Sequence, residues 1–369
     1  MAILKKIVLI GPAWPLRGGI SLFNVRFFEA LTQKGVNTHV IGFQRQYPAL
    51  LFPGQSQDTP EFKPCVGKRM IDTCNPLSWI KTCRYIKGLK PDAVIFSWWH
   101  FWFWPCFKLM VSFLSNAGFP VIFLCHNYNT HDKADLWSWF SANVLKKADG
   151  LFFLSDFTRN QRREKYPLKV SLFHPYYEWE KWPVKVPDNW SNKILMAGCV
   201  KSYKGLEIGL GLLNLDPKLE ITIAGDIYKP DLSKEIRGLE KKFKNRLRLY
   251  PEYCSDENLV KLMDEHDLLL CSHKKATQSG MAAFAFGRQK PVVVTPVGGL
   301  GEQIHPKTGV VAEEITSESL LKAIAMIYDK PPKYWAKGIA EQREKNSFTY
   351  FAKKICDSIE KILHSQNVV

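Results

Sequence analysis

Short apolar runs recur along this chain. Each is stopped by glycine, proline or polar residues and followed by apolar positions at helical spacing, the mark of alternating strands and helices. The first run, Lys6 to Ile10, ends at Gly11-Pro12. After it come Arg17-Gly18-Gly19 and a helix whose apolar residues Ile20, Phe23, Phe27, Phe28 and Leu31 recur at helical spacing, closed by Gly35. The same reading predicts strands over 38–43, 93–96, 121–125 and 150–154 and helices over 75–90, 135–147 and 156–165. From Pro175 to Asn192 the period is lost, and Pro175, Pro183 and Pro187 punctuate the chain. Lys193 to Ala197 restarts the alternation, with strands at 220–224, 248–250, 268–271, 292–295 and 309–312. A last helix over 349–363 carries Phe351, Ile355, Ile359 and Ile362 at helical spacing. The pattern predicts an α/β chain of two Rossmann-like, doubly wound parallel-sheet domains. They span 1–178 and 193–346, joined by a linker at 179–192 and followed by a terminal helical segment at 347–369.

Composition narrows the partners. With 369 residues, 46% hydrophobic and 23% charged, the chain has material for two ordered cores. A formal charge of +16 suits a nucleic acid, an anionic membrane surface or a phosphorylated small molecule, and does not choose among them. The basic residues are dispersed and not interleaved with aromatics in a recognisable module, so no nucleic acid is expected. Nine cysteines without a CxxC pair, several inside apolar runs (Cys125, Cys199, Cys271), predict a reduced, cytoplasmic setting. The opening MAILKKIVLIGP reads as a first strand and not as a signal peptide, and no uncharged apolar run is long enough to span a membrane. Trp98, Trp99, Trp102 and Trp104 crowd one stretch. They read as core and cleft lining, or else as an interfacial contact that would hold the protein peripherally on an anionic membrane face.

The candidate chemistry sits where strands end. Thr277-Gln278-Ser279-Gly280 leads into an apolar helix, then a strand, then Gly298-Gly299 and Glu302. Backbone N–H groups at a helix start, with the Thr277 and Ser279 hydroxyls beside them, suit a phosphate. Gly198 ends a strand, and Lys201 and Lys204 follow at a spacing that lets both ammoniums turn toward one anion. A solvated lysine pair is the bland alternative; position at a strand's carboxyl end favours the anion. His126, Asn127 and His131 follow the apolar strand 121–125, again where ligands bind in open parallel sheets. There is no Asp-x-Asp element, and no metal site is expected.

GPAWPLRGG, QYPALLFPG, CHNYNTHDK, KSYKG, ATQSG and KPVVVTPVGGLGE, in that order, make the chain resemble the retaining glycosyltransferase family 4, over nearly its whole length and most closely a bacterial exopolysaccharide or lipopolysaccharide subgroup. The resemblance implies a GT-B fold, two domains facing across a cleft, with the terminal helix crossing back onto the first. It implies sugar transfer with retention, from a nucleotide-sugar co-substrate such as a UDP- or GDP-sugar and with no other cofactor, to a glycan or lipid-linked acceptor. Lys201 and Lys204 fall where the family places Arg and Lys on the donor diphosphate; lysine at 201 keeps the charge and loses the bidentate fork. Gly18 and Gly19 fall on the turn that admits the donor, His126 on the histidine that touches the transferred sugar, and Glu302 on the carboxylate after the GGL turn. Arg17, Asn127 and His131 are acceptor candidates.

One departure stands out: the family's paired glutamates map by ungapped count onto Ala276 and Phe284, neither of which accepts a hydrogen bond through its side chain. The Thr277 to Gly280 loop is expected to take over part of that role. Two other classes stay open, a sugar-nucleotide isomerase or epimerase on the same fold and a non-catalytic nucleotide-sugar or nucleic-acid binder.

Overall fold

The apolar runs form the strands of two parallel sheets, each in its own unit of the chain: Met1–Phe173 with Phe348–Val369, and His174–Ser347. The computed structural model describes residues 4–48, 56–127, 142–161, 168–227 and 230–366.

The first unit contains β1 (Lys6–Ile10), β2 (Asn37–Arg45), β3 (Lys68–Asp72), β4 (Ala93–Trp98), β5 (Val121–Cys125), β6 (Gly150–Phe153) and β7 (Lys169–Ser171). They pair in parallel in the order β3-β2-β1-β4-β5-β6-β7. Alternation along β1 shows why its sequence is apolar throughout. Val8 and Ile10 face Phe96, Phe123 and the helices Pro76–Leu89 and Trp104–Asn116. Ile7 and Leu9 face the helices Gly19–Gln33 and Phe348–Gln366, through Phe23, Phe27, Phe351, Ile355 and Ile359. A strand covered on both faces reads as a continuous hydrophobic run. The terminal helix is therefore part of this unit's core.

Two strands of this sheet lie outside the sequence expectation. β3, KRMID, and β7, KVS, are edge strands and only partly buried, so neither shows an apolar run. The helix expected over 135–147 falls partly outside the described residues, and the one expected over 156–165 is described as Asp156–Asn160. Among the tryptophans, Trp98 is buried, Trp99 donates to the Tyr47 hydroxyl (2.9 Å), Trp102 donates to Thr73 Oγ1 (3.2 Å), and Lys108 lies over the Trp104 ring. The stretch is core and core margin.

The second unit contains β8 (Lys193–Ala197), β9 (Glu220–Ala224), β10 (Leu247–Tyr250), β11 (Leu268–Cys271), β12 (Val292–Val294) and β13 (Gly309–Val311). All pair in parallel, in the order β10-β9-β8-β11-β12-β13. Residues expected as a linker pack into this unit. The Trp179 ring meets Phe284 at 4.5 Å, and Trp190 Nε1 donates to Lys330 O at 2.9 Å. All nine cysteines are free thiols. Among the described residues no helix is long and apolar enough to cross a membrane.

Candidate functional site

In each sheet the chain builds outward in one direction and then returns to build in the other. The switch falls between β1 and β4 in the first unit and between β8 and β11 in the second. Loops leaving the carboxyl ends of strands at a switch point splay apart and leave a crevice, the preferred ligand position of such sheets.

In the second unit the loops after β8, β11 and β12 are tied to one another. Ser272 Oγ donates to Lys204 O (3.1 Å) and Gly205 O (2.9 Å), the Lys274 N–H donates to Tyr203 O (2.7 Å), and Thr295 Oγ1 donates to His273 O (2.6 Å). Lys201 is exposed and precedes the turn Ser202–Lys204; Lys204 is half-buried. Lys204 Nζ is 3.4 Å from Ala197 O and only 2.8 Å from where a Cβ on Gly198 would stand, while Met281 Cγ is 3.2 Å from the same point. Gly198, at φ +99°, thus leaves room for the ammonium in a backbone conformation that suits glycine. Burial holds the Lys204 pKa below the ordinary lysine value, the charge of Lys201 acts the same way, and the Cys199 and Cys271 sulfurs oppose them more strongly than Lys201 does. An ammonium so desolvated gains from an approaching anion.

The helix Gly280–Gly287 begins beside that ammonium. Ser279 caps it, its Oγ accepting from the Ala282 N–H (3.2 Å). Among the described residues no group accepts from the Gly280 and Met281 N–H groups, which open the helix. Gln303 fixes the loop from the far side, accepting from the Ser279 N–H (2.7 Å) and donating to Ser279 O (3.2 Å). Thr277 is buried, Gln278 half-buried and Glu302 exposed. Gly298 turns the chain at φ +54°, and Gly299 is buried. The arrangement brings together Gly198, Lys204, Ser279 and Gly280, with Lys201 close enough to act on Lys204 electrostatically. Of the two positions aligned with the family's glutamates, Ala276 is buried, and Phe284 is core, packed on Trp179.

In the first unit Gly18, at φ +114°, starts the helix Gly19–Gln33, and both glycines are exposed with open space where a side chain would stand. The Arg17 N–H donates to Gln57 O (2.9 Å). The His126 N–H donates to Trp98 O (2.8 Å), and its buried ring meets Phe23 edge-on at 4.8 Å, one turn into the helix that Gly18 and Gly19 open. Asn127 follows, half-buried; His131 lies outside the described residues. Phe23 also packs on Phe348 and Phe351, so the terminal helix supports the histidine from behind.

Sequence reasoning missed Gln303 and His174. His174 Nε2 lies 3.6 Å from the Cβ position of Gly280. Both act through tertiary contacts that no spacing announces, although the adjacency of Gln303 to Glu302 was a pointer.

Residues 17–175 match the model for Glycosyltransferase Family 4. No curated protein matches the chain. Among solved structures, sucrose-phosphate synthase from Thermosynechococcus elongatus superposes with a TM-score of 0.71 at 16% identity, covering 98% of this chain and 100% of that one. The Anabaena protein HepE in complex with UDP gives 0.69 at 13% identity, covering 97% and 100%. The lipopolysaccharide outer core galactosyltransferase WaaB gives 0.67 at 15% identity, covering 98% and 99%. The neighbours show a GT-B fold, and the family match over residues 17–175 supports a transferase enzyme.

Proposed function

We propose that this protein is a retaining, metal-independent glycosyltransferase. It would move a sugar from a nucleotide-sugar such as a UDP- or GDP-sugar to a glycan or lipid-linked acceptor in bacterial surface-polysaccharide synthesis. One observation carries the reading: a desolvated lysine ammonium, Lys204, lies against Gly198 and the start of a helix whose opening N–H groups have no acceptor among the described residues. A diphosphate suits that place, where ammonium and N–H donors stand ready for charge that grows as the leaving group departs. The UDP seen with HepE and the order of the sequence motifs support the same assignment.

In the proposed reaction the bond between the sugar's anomeric carbon and the diphosphate oxygen breaks, its electron pair leaving with the nucleoside diphosphate. The acceptor oxygen bonds to that carbon on the same face. Its proton passes to the departing phosphate oxygen. Lys204 and the Gly280 and Met281 N–H groups stabilise the phosphate, Lys201 adds long-range charge, and His126 orients the sugar. The test is a thermal-shift panel of nucleotide-sugars, since a ligand at one hundred times its Kd stabilises by about 2.7 kcal/mol. The selected donor is then incubated with and without glycan acceptors, in EDTA. Transfer with retained anomeric configuration is expected. Isomerised donor in the absence of acceptor, or turnover that stops in EDTA and returns with a divalent ion, would refute the reading.

A further inference from the structure

The second unit begins at His174, and its first residues run along the helix Gly280–Gly287. The Tyr177 N–H donates to Ala283 O (3.2 Å), the Tyr176 ring packs on Phe286 at 5.0 Å and the Trp179 ring on Phe284 at 4.5 Å. The segment by which the chain leaves this unit is fastened to the same place. The Tyr176 N–H donates to Asn346 O (2.8 Å), and Arg343 forms a bidentate ion pair with Glu178 (2.5 and 2.8 Å). At the head of this packing His174 is buried, its ring 5.5 Å from Tyr177 and its Nε2 directed toward Gly280. Its Nδ1 lies 3.1 Å from Pro175 O. A carbonyl only accepts, so Nδ1 carries the proton, and the neutral ring keeps Nε2 as its acceptor nitrogen. Burial favours that neutral form, pushing the imidazole down to about 4. An imidazolium beside the positive end of a helix would be repelled.

We propose that His174 is a positioning residue for the donor diphosphate: its neutral imidazole, oriented by Pro175 O, sets the place of Gly280 and so of the N–H groups that meet the phosphates. This rests on the donor site proposed above. The ring meets Gly280 at van der Waals distance, and its polarity matters beyond its volume because the Nδ1 bond to Pro175 O fixes where the other end of the ring stands. Displacing a set of aligned donors by a fraction of an ångström weakens each bond to the phosphate.

The experiment measures UDP, GDP and ADP binding by calorimetry to the full chain and to His174→Ala, His174→Phe, His174→Gln and Lys204→Ala variants, with unliganded melting recorded for each. For whichever diphosphate the wild type binds, His174→Ala and His174→Phe are expected to weaken binding about tenfold. His174→Gln, whose amide has both a donor and an acceptor, should recover to within about threefold. Donor KM should follow Kd, while kcat moves less. Wild-type affinity in His174→Phe with Lys204→Ala impaired would overturn the positioning role alone and reduce the ring to packing. Failure of His174→Gln to recover, while melting like the wild type, would do the same. Wild-type affinity in Lys204→Ala, or no diphosphate bound by the wild type, would overturn the donor site and this inference with it.

Discussion

The second unit holds two buried cations at one edge of its sheet and a half-buried one at the other, and they are treated in opposite ways. At the edge where strands begin, Arg288 is 1% exposed and donates to both Asp264 carboxylate oxygens (2.9 and 2.6 Å), to Trp182 O and to Pro183 O. Lys290, 3% exposed, donates to Asp264 O (3.1 Å) and His266 O (2.8 Å). At the edge where strands end, Lys204 has one long bond to a carbonyl and no carboxylate among the described residues. A satisfied buried cation fastens backbone to backbone. An unsatisfied one is tolerated where something else completes its shell, so the contrast separates structural charge from binding charge within one domain.

Exchanging the readouts tests that contrast. Arg288→Ala strands the Asp264 carboxylate and frees the Trp182 and Pro183 carbonyls, and should lower stability by about 3–5 kcal/mol in urea titrations. Wild-type stability there would erase the distinction. Lys204→Ala should do the reverse, lowering turnover roughly 100- to 1,000-fold with the urea midpoint nearly unchanged. Unimpaired transfer by that variant would remove Lys204 from the site.

The third effect is on pH. With His174 held near 4 by burial against its ordinary 6.5, the unfolded chain binds a proton in that window that the folded chain does not. The contribution is therefore complete above pH 6.5 and is lost as pH falls toward 4, about 3 kcal/mol in all. His174→Gln should flatten the stability slope in that window; an unchanged slope would place the titration elsewhere. The smallest effect is Ser279→Ala, which removes the helix cap and should cost about 1 kcal/mol by thermal melting.

The central strands were legible because they are covered on both faces: Lys6–Ile10, Val121–Cys125 and Leu268–Cys271 coincide with their apolar runs. The edges of the first sheet were not, since β3 and β7 have one neighbour and part-exposed side chains, whereas the second sheet's edges, β10 and β13, keep enough apolar residues to be read. The site divides in the same way. Lys204, Gly198 and the Ser279-Gly280 step were readable because local chemistry places them at a strand end or a helix cap. His174, Gln303 and Arg288 were silent because their partners lie 106, 24 and 24 residues away in sequence, at Gly280, Ser279 and Asp264. The prolines that mark 179–192 as a linker say nothing of the packing of Trp179 and Trp190, whose partners Phe284 and Lys330 lie far along the chain.

The helix Phe348–Gln366 completes a core whose other members precede Phe173. During synthesis the earlier domain must wait, its β1 face uncovered, until the later one has been made. The second domain, continuous in sequence, meets no such delay. Ribosome-bound chains ending at Ser347 and followed by a tether long enough to clear the exit tunnel should then carry a protease-resistant second domain behind a still-susceptible first, the reverse of the order in which they emerge.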